Sequence, residues 1–475
     1  MERLSALDAE FLHVEDERAH MHIAGVCVFD GPPPAVAELR ELIAGKLHRI
    51  PRYRQRVRSV PFELGRPVWV DDPHFHLDYH VRHAALPRPG GDDELCSLVG
   101  RVMSQALDRG RPLWEAWLVE GLSDDRWALL LKVHHCMVDG VAGVGLLTVL
   151  LDVTSDAETL APRPWTPSAE PSGVAKVIDA WSGAGSDLAA LLGELPAAIK
   201  DPAGVLRSVV NFGTGIGGFI SKLRPTTSSS IDGSIGPHRT WRHASVGFEA
   251  ITTIRQAVGG TVNDVVLCGL SAGYRALLAS RGDDLDRVTV RTAIPVSVRD
   301  ASGEGAVDNR VSTLLYELPI HVTDPFERLT LIGEQMSELK GSHMAEAGDV
   351  VMSIGNLAPP MVVGSLSRLA IRGEWRLPQH SVTTVTTNVP GPQFPLFCLG
   401  REMLEYQPFV PITHGVRVGT AVLSYNGNVC FGVTGDYTSA DDVGVLADAT
   451  VEEIRAMAAS VAPAKRTRTK RSRRE

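Results

Sequence analysis

A chain of 475 residues with 44% hydrophobic and 22% charged side chains holds enough apolar material for a large core, and its length suits two domains. The net charge of −9 excludes a basic face spread over the whole surface, and with it a general nucleic-acid footprint, because phosphate binding calls for clustered Lys and Arg. Six cysteines, Cys27, Cys96, Cys136, Cys268, Cys398 and Cys430, have neither metal-site nor disulfide spacing, which fits a reducing compartment.

Residues 1–20 are dense in charge and histidine and lack the apolar stretch of a secretory signal, so a cytoplasmic location is expected. Segments 32–50 and 93–107 have the apolar spacing of amphipathic helices, while 26–29, 117–120 and 127–133 read as strands. The last is almost wholly apolar, short for a membrane span and right for a buried strand. An apolar pattern over 141–151 predicts a helix, which leaves 134–140 as the connection. From 161 the texture changes: Pro162, Pro164, Pro167 and Pro171 open a stretch that Ser228, Ser229, Ser230, Gly233 and Gly236 close. It reads as a crossover between two halves, with short helices at 174–181 and 188–199. Beyond Trp241 the better strands are 288–298, 382–389, 421–426 and 428–434, and 265–278 reads as one helix. Segments 212–223 and 350–371 are greasy but broken by glycine or by Pro359 and Pro360, and are read as packed core before any lipid-facing role. Seven Lys or Arg within 465–474 suggest a solvated, disordered tail, with attraction to anionic lipid as the alternative. The expected division is 1–160, a linker at 161–240, a second domain at 241–462 and the tail at 463–475.

The chemistry is expected at Leu130-Leu131-Lys132-Val133-His134-His135-Cys136-Met137-Val138-Asp139-Gly140. A strand end is a rigid mount, and imidazole is the side chain whose ordinary pKa lies nearest neutrality, so a histidine fixed there can take a proton from a hydroxyl. Asp139 could hold the imidazole, brace the turn against a cation, or cap the following helix. His134 is read first as structural, since neighbours on a strand point to opposite faces. A zinc site from both histidines and Asp139 lacks the further ligands of an HExxH or paired CxxC pattern, and nothing marks Cys136 as an activated thiol. A rival sits at Gly269-Leu270-Ser271-Ala272-Gly273, which matches GxSxG, the nucleophile elbow of serine hydrolases. His321, His343, His380 or His414 could complete its triad, but no HGGG-type oxyanion segment is present, and the helical reading makes Gly269 and Gly273 packing positions.

His-His-x-x-x-Asp-Gly resembles the signature of the CoA-dependent acyltransferase superfamily, which includes chloramphenicol acetyltransferase, condensation domains of peptide synthetases and, as the nearest likeness, bacterial wax ester synthase/diacylglycerol acyltransferases. Further blocks carry the resemblance to about residue 460: Leu4-Ser5-Ala6-Leu7-Asp8-Ala9-Glu10-Phe11-Leu12 with Glu15 and Met21-His22-Ile23, then Phe75-His76-Leu77-Asp78-Tyr79-His80-Val81-Arg82, Pro112-Leu113-Trp114, Val262-Asn263-Asp264, Pro295-Val296-Ser297-Val298-Arg299 and Asn388-Val389-Pro390-Gly391-Pro392. One departure is that Asp308 precedes Asn309 where the family pattern has Gly-Asn.

The resemblance implies an α/β fold of two chloramphenicol-acetyltransferase-like domains, mixed β-sheets flanked by helices, with the active site in a channel between them. It implies direct transfer of a fatty acyl group from acyl-CoA to the hydroxyl of diacylglycerol, with long-chain alcohols as further acceptors, no bound cofactor or metal, and acyl-CoA as co-substrate. His135 would be the general base and Asn263 the oxyanion donor, although Asn263 could equally be the N-cap of the helix that follows. Asp139 would hold the loop through Arg299, with His134 beside the base. Glu15, Gly140, Trp114 and Arg299 are candidates on the substrate side. Peripheral contact with the inner membrane face or lipid droplets would follow from such substrates, and nucleic acid is not an expected partner. Two other functions stay in view: a serine esterase or lipase using Ser271, and a lipid-binding protein without turnover.

Overall fold

The computed structural model describes residues 2–61, 64–137, 149–179, 227–297, 311–341 and 382–462. In chain order the first half gives α1 (Ala6–Val14), β1 (His22–Asp30), α2 (Val36–Lys46), β2 (Val81–Ala85), α3 (Asp92–Met103), β3 (Trp114–Leu122) and β4 (Arg126–His134). The second gives β5 (Arg239–Gly247), α4 (Phe248–Val258), α5 (Val262–Ser280), β6 (Val290–Ser297), β7 (Val311–Leu318), α6 (Pro325–Gly341), β8 (Thr384–Pro390), β9 (Phe397–Cys398), β10 (Arg401–Phe409), β11 (Val418–Tyr425), β12 (Asn428–Asp436) and α7 (Gly444–Val461).

These strands form two six-stranded mixed sheets. The first has the order β9-β10-β1-β4-β3-β2, antiparallel except for the β2–β3 pair. The second has the order β7-β6-β8-β11-β12-β5, with β8 parallel to both its neighbours. The expected α/β architecture with mixed sheets and flanking helices is therefore the observed one. β10 belongs by sequence to the second half, yet it pairs with β1 in the first sheet, Tyr406 opposite Cys27.

β4 explains its own apolar run. Leu129, Leu131 and Val133 pack with Leu39, Leu42 and Ile43 of α2, while Ala128 and Leu130 on the other face pack with Leu95, Val99 and Val102 of α3. A strand covered on both faces reads as continuous hydrophobicity rather than alternation. Lys132 interrupts the run, and its ammonium is partly compensated by donating to the Val102 carbonyl at 2.9 Å and to that of Gln105, both at the end of α3. Burial pushes its pKa down to about 8. At Gly100 of α3 a Cβ would sit 2.7 Å from the Arg239 carbonyl, so glycine is what lets β5 of the second sheet approach this helix.

The predicted helix over 32–50 begins four residues late because the proline run ends only at Pro34. Ala35 caps the helix, its amide held by Glu38 Oε2 at 2.8 Å, and a 3₁₀ turn at Leu47–Arg49 closes it. The predicted strands lie within β1, β3, β4 and β12 or within a residue or two of β6, β8 and β11, and the helix at 93–107 ends at Met103. Helix 174–181 is seen over 173–179. The helix at 188–199, most of that at 141–151, the greasy segments 212–223 and 350–371 and the basic tail lie outside the described residues. Among the described residues no helix is long and apolar enough to cross a membrane.

Candidate active site

β4 ends at His134, and His135–Met137 turn at once into a 3₁₀ helix. The backbone amide of Cys136 donates to His134 Nδ1 at 3.1 Å, which puts the ring proton of the neutral imidazole on Nε2. That nitrogen lies 3.4 Å from Glu15 Oε2, close to the carboxylate but off the hydrogen-bonding angle. His134 is thus fully buried and structural in its contacts, as the strand alternation suggested.

His135 is held differently. Its backbone amide donates to the Met21 carbonyl at 2.8 Å, and its ring stacks on Phe11 with centroids 3.9 Å apart. Its Nδ1 is buried with no hydrogen-bond partner. Burial lowers its pKa to about 4, with His134 adding in the same direction. At neutral pH this ring is an uncharged acceptor on a fixed mount, with hydrogen-bonding capacity that no described residue uses. Asp139, Gly140 and Arg299 lie outside the described residues.

Behind the two histidines stands Glu15, at the end of α1. Its Oε1 lies 3.3 Å from His22 Nε2 and 4.0 Å from His20 Nδ1, and its Oε2 takes Arg109 Nη2 at 2.5 Å and Nε at 3.1 Å. Burial alone would raise the carboxyl, but His134 and His22 outweigh it and hold Glu15 well below the usual carboxylate range. His22 is directly opposite His134 in the β1–β4 register, and burial pushes its pKa down to about 3. Glu15, expected on the acceptor side, therefore has both oxygens committed to side chains of the protein. Among the described residues no group of three His, Cys, Asp or Glu has metal-holding geometry.

Asn263 lies in the first turn of α5. It is not the cap: Thr261 takes that place, its Oγ1 accepting the Asp264 amide while Asp264 Oδ2 accepts the Thr261 amide at 2.7 Å. Asn263 Oδ1 instead accepts Asn388 Nδ2 at 3.2 Å, leaving its own Nδ2 as the donating end of the amide. No hydrogen bond or ion pair among the described residues joins Asn263 to His135. Trp114, the first residue of β3, donates to the Tyr53 carbonyl at 2.9 Å and stacks on His80. With Leu131 and Val133 it lines a narrow apolar cleft closed by Ile43, Leu47 and Leu150.

The GxSxG reading fails on geometry. Ser271 is in the middle of α5, wholly buried, its Oγ donating to the Leu267 carbonyl one turn back at 2.7 Å. A nucleophile elbow needs an exposed serine on a strand-to-helix turn. Gly269 and Gly273 are small because α7 crosses there: a Cβ at Gly269 would be 2.8 Å from Ile454, and one at Gly273 2.6 Å from the Leu446 carbonyl.

Sequence reasoning missed Phe11, Arg109 and Asn388 as members of the site. Phe11 and Asn388 do fall in two of the blocks that carried the resemblance, whereas Arg109 has no signal in sequence, since only folding brings it to Glu15.

The wax ester synthase/diacylglycerol acyltransferase catalytic domain model matches residues 4–266, and the model of the C-terminal domain of the same enzymes matches residues 307–458. The chain is 36% identical, over 94% of both sequences, to a probable diacylglycerol O-acyltransferase, tgs1, of Mycobacterium tuberculosis. The structure is similar to the wax ester synthase/diacylglycerol acyltransferase of Marinobacter aquaeolei VT8, with a TM-score of 0.67, 26% identity and coverage of 97% of this chain and 99% of that one. It shares its fold with the first condensation domain of the calcium-dependent antibiotic synthetase, at a TM-score of 0.59, 15% identity and 97% coverage of each chain. By its matched models, its relatives and its two-sheet architecture, the chain belongs to the wax ester synthase/diacylglycerol acyltransferase family.

Proposed function

We propose that the protein transfers a fatty acyl group from acyl-CoA to the hydroxyl of diacylglycerol, with long-chain alcohols as further acceptors. The observation that carries this reading is the state of His135, a neutral, half-buried imidazole whose Nδ1 has no hydrogen-bond partner among the described residues. His135 accepts the acceptor's hydroxyl proton as that oxygen attacks the thioester carbonyl, a role that typically contributes about a hundredfold to ten-thousandfold in rate. The carbonyl oxygen becomes an oxyanion, for which Asn263 Nδ2 is the proposed donor. A fixed amide donor of this kind is worth roughly 3 kcal/mol. Collapse breaks the carbon–sulfur bond and expels the CoA thiolate, which takes the proton back from His135, so no covalent acyl-enzyme is needed.

Other roles are proposed around this core, those of Glu15, His134 and Trp114 from their contacts and those of Asp139, Arg299 and Gly140 from the family resemblance. Glu15 braces His134, and His134 braces the turn through the Cys136 amide. Asp139 is assigned to holding the loop through Arg299, and Gly140 to the tight backbone beside the substrate. Trp114 shapes the wall of the apolar cleft on the Val133 face of β4. Diacylglycerol resides in lipid, so contact with a membrane face or lipid droplet is part of the proposal.

The test is to incubate purified protein with palmitoyl-CoA and, separately, diacylglycerol, a long-chain alcohol or neither, and to identify products by mass. Triacylglycerol or wax ester is expected. Free fatty acid alone would mean hydrolysis, and no product would leave a lipid-binding role. His135→Ala should lower CoA release at least about a hundredfold while unfolding at the wild-type temperature; a folded, active variant removes His135 from the mechanism.

A further inference from the structure

One loop of the first half, residues 15–21, holds both motif histidines, and that loop is gripped in its middle by the second half. At one end Glu15 braces His134, and at the other the Met21 carbonyl takes the His135 amide at 2.8 Å. Between them Asp16 Oδ1 accepts the amides of Arg18 and Ala19, each at 2.8 Å, which folds the loop on itself. Asp16 Oδ2 then takes His414 Nε2 at 2.8 Å, across 398 residues of sequence. An ionised carboxylate only accepts, so His414 is the donor. One residue pair further on, the Arg18 carbonyl accepts Arg239 Nη2, and the same guanidinium is fixed by the carbonyls of Gly236 at 2.7 Å and His238 at 2.9 Å. Underneath, Ala19 and Met21 share an apolar cluster with Ile235, Ile412 and Val416 of the second half, and Phe11, the ring on which His135 stacks, packs against it.

We infer that His414 and Arg239 are positioning residues for catalysis: through Asp16 and the Arg18 carbonyl, the second half sets the loop that holds the two motif histidines of the first. The inference rests on His135 being the base. It deepens that reading by making the reactive geometry a property of both halves together, although neither motif histidine bonds the second half directly among the described hydrogen bonds. Such an arrangement makes the turnover number sensitive to side chains far from the thioester, because displacing a reacting group by about an ångström can cost up to a hundredfold.

The experiment uses the full chain with palmitoyl-CoA and diacylglycerol, comparing wild type with His414→Ala, His414→Gln and Asp16→Asn and recording kcat, KM for each substrate and thermal unfolding. His414→Ala should lower kcat about tenfold with both KM values within about twofold and the unfolding temperature nearly unchanged. His414→Gln, whose amide reaches about as far as Nε2, should recover most of the loss. A folded His414→Ala protein with wild-type kcat overturns the inference, as does a loss that His414→Gln does not recover. If His414→Ala does not fold, Asp16→Asn decides: it keeps the Oδ1 acceptor for the two loop amides and replaces the oxygen that accepts from His414 by an NH2 group, and wild-type kcat there overturns the inference. A wild-type protein that makes no acyl-transfer product instead removes the functional reading beneath it.

Discussion

Each sheet buries a polar cluster, and the two clusters are finished in opposite ways. In the second sheet, threonines of adjacent strands bond one another: Thr292 of β6 to Thr386 of β8 at 2.9 Å, and Thr386 to Thr420 of β11 at 2.9 Å. Thr384 beside them takes Tyr274 of α5 at 2.5 Å and donates to the Val418 carbonyl at 2.8 Å. All four threonines are at most 1% exposed. Behind β4 of the first sheet, by contrast, His20 and His22 beside the ionised Glu15, and His135 on the turn, each keep a buried Nδ1 without a hydrogen-bond partner among the described residues. Unmet hydrogen bonds are costly in a protein interior, and where they persist in a native structure the reason is commonly functional. The threonine ladder has closed its valences and can only hold the sheet together. The histidine cluster has left its valences open and can take part in chemistry.

Acid should separate the two clusters most strongly. Burial depresses His22 to about 3 and His80 to about 4, against an ordinary value of 6.5. Between those limits the unfolded chain binds protons that the folded chain refuses, so the stability is whole above about pH 6.5 and is lost progressively as pH falls toward 4. The slope is about 1.4 kcal/mol per pH unit for each such ring. Denaturant unfolding at pH 7, 6 and 5 should show it, and a flat profile would break the claim that these rings are buried uncharged. In the same window His135 stays an unprotonated base, so the acid limb of kcat/KM is expected near 4 rather than 6.5.

Removing the centre of the open cluster comes next in size. Glu15→Ala leaves Arg109 and the rings of His22 and His134 facing a void; Arg109 is half exposed, so the loss is that of hydrogen bonds to a charged group, about 1.5–3 kcal/mol. Activity should fall as well, because the brace on His134 goes. A Glu15→Ala protein as stable and as active as wild type would show that the carboxylate is a bystander.

The closed cluster should respond to Thr386→Val with a stability loss alone. The substitution keeps shape but strips the middle rung, leaving Thr292 and Thr420 each short of a partner, at about 1–3 kcal/mol. Turnover per folded molecule should not change. If kcat fell while the unfolding midpoint held, the ladder would have to be counted as part of the site.

The unequal legibility of the molecule follows from the range of its interactions. β4 and the turn at His135 were readable because apolar run, histidines and turn are contiguous, and the two glycines of α5 betrayed a helix seam through spacing alone. Glu15 was visible as a residue, but its commitment to His22, His134 and Arg109 was not, since that depends on α1 folding back beneath β4. Asn263 was half-read as a cap because Thr261, two residues earlier, offers the same service and lies nearer the helix start. β10 went unseen because its pattern carries no clear alternation, and nothing in a sequence says that a strand will leave its own half to pair with β1. The pairing of Asp16 with His414 is beyond any local pattern for the same reason.

The smallest effect is expected at the serine that looked most like a nucleophile. Ser271 Oγ donates to the Leu267 carbonyl, but in a helix that carbonyl already receives the Ser271 amide, so Ser271→Ala orphans no backbone group. Alanine is also the better helix former, by up to about half a kilocalorie per mole, and it leaves behind only the volume of one oxygen. The stability change should therefore stay within about 0.5 kcal/mol, with acyl transfer intact. Loss of activity in a folded Ser271→Ala protein would reopen ester hydrolysis at this helix, and it would require Ser271 to reach solvent through the α7 packing that now covers Gly269 and Gly273 on either side of it.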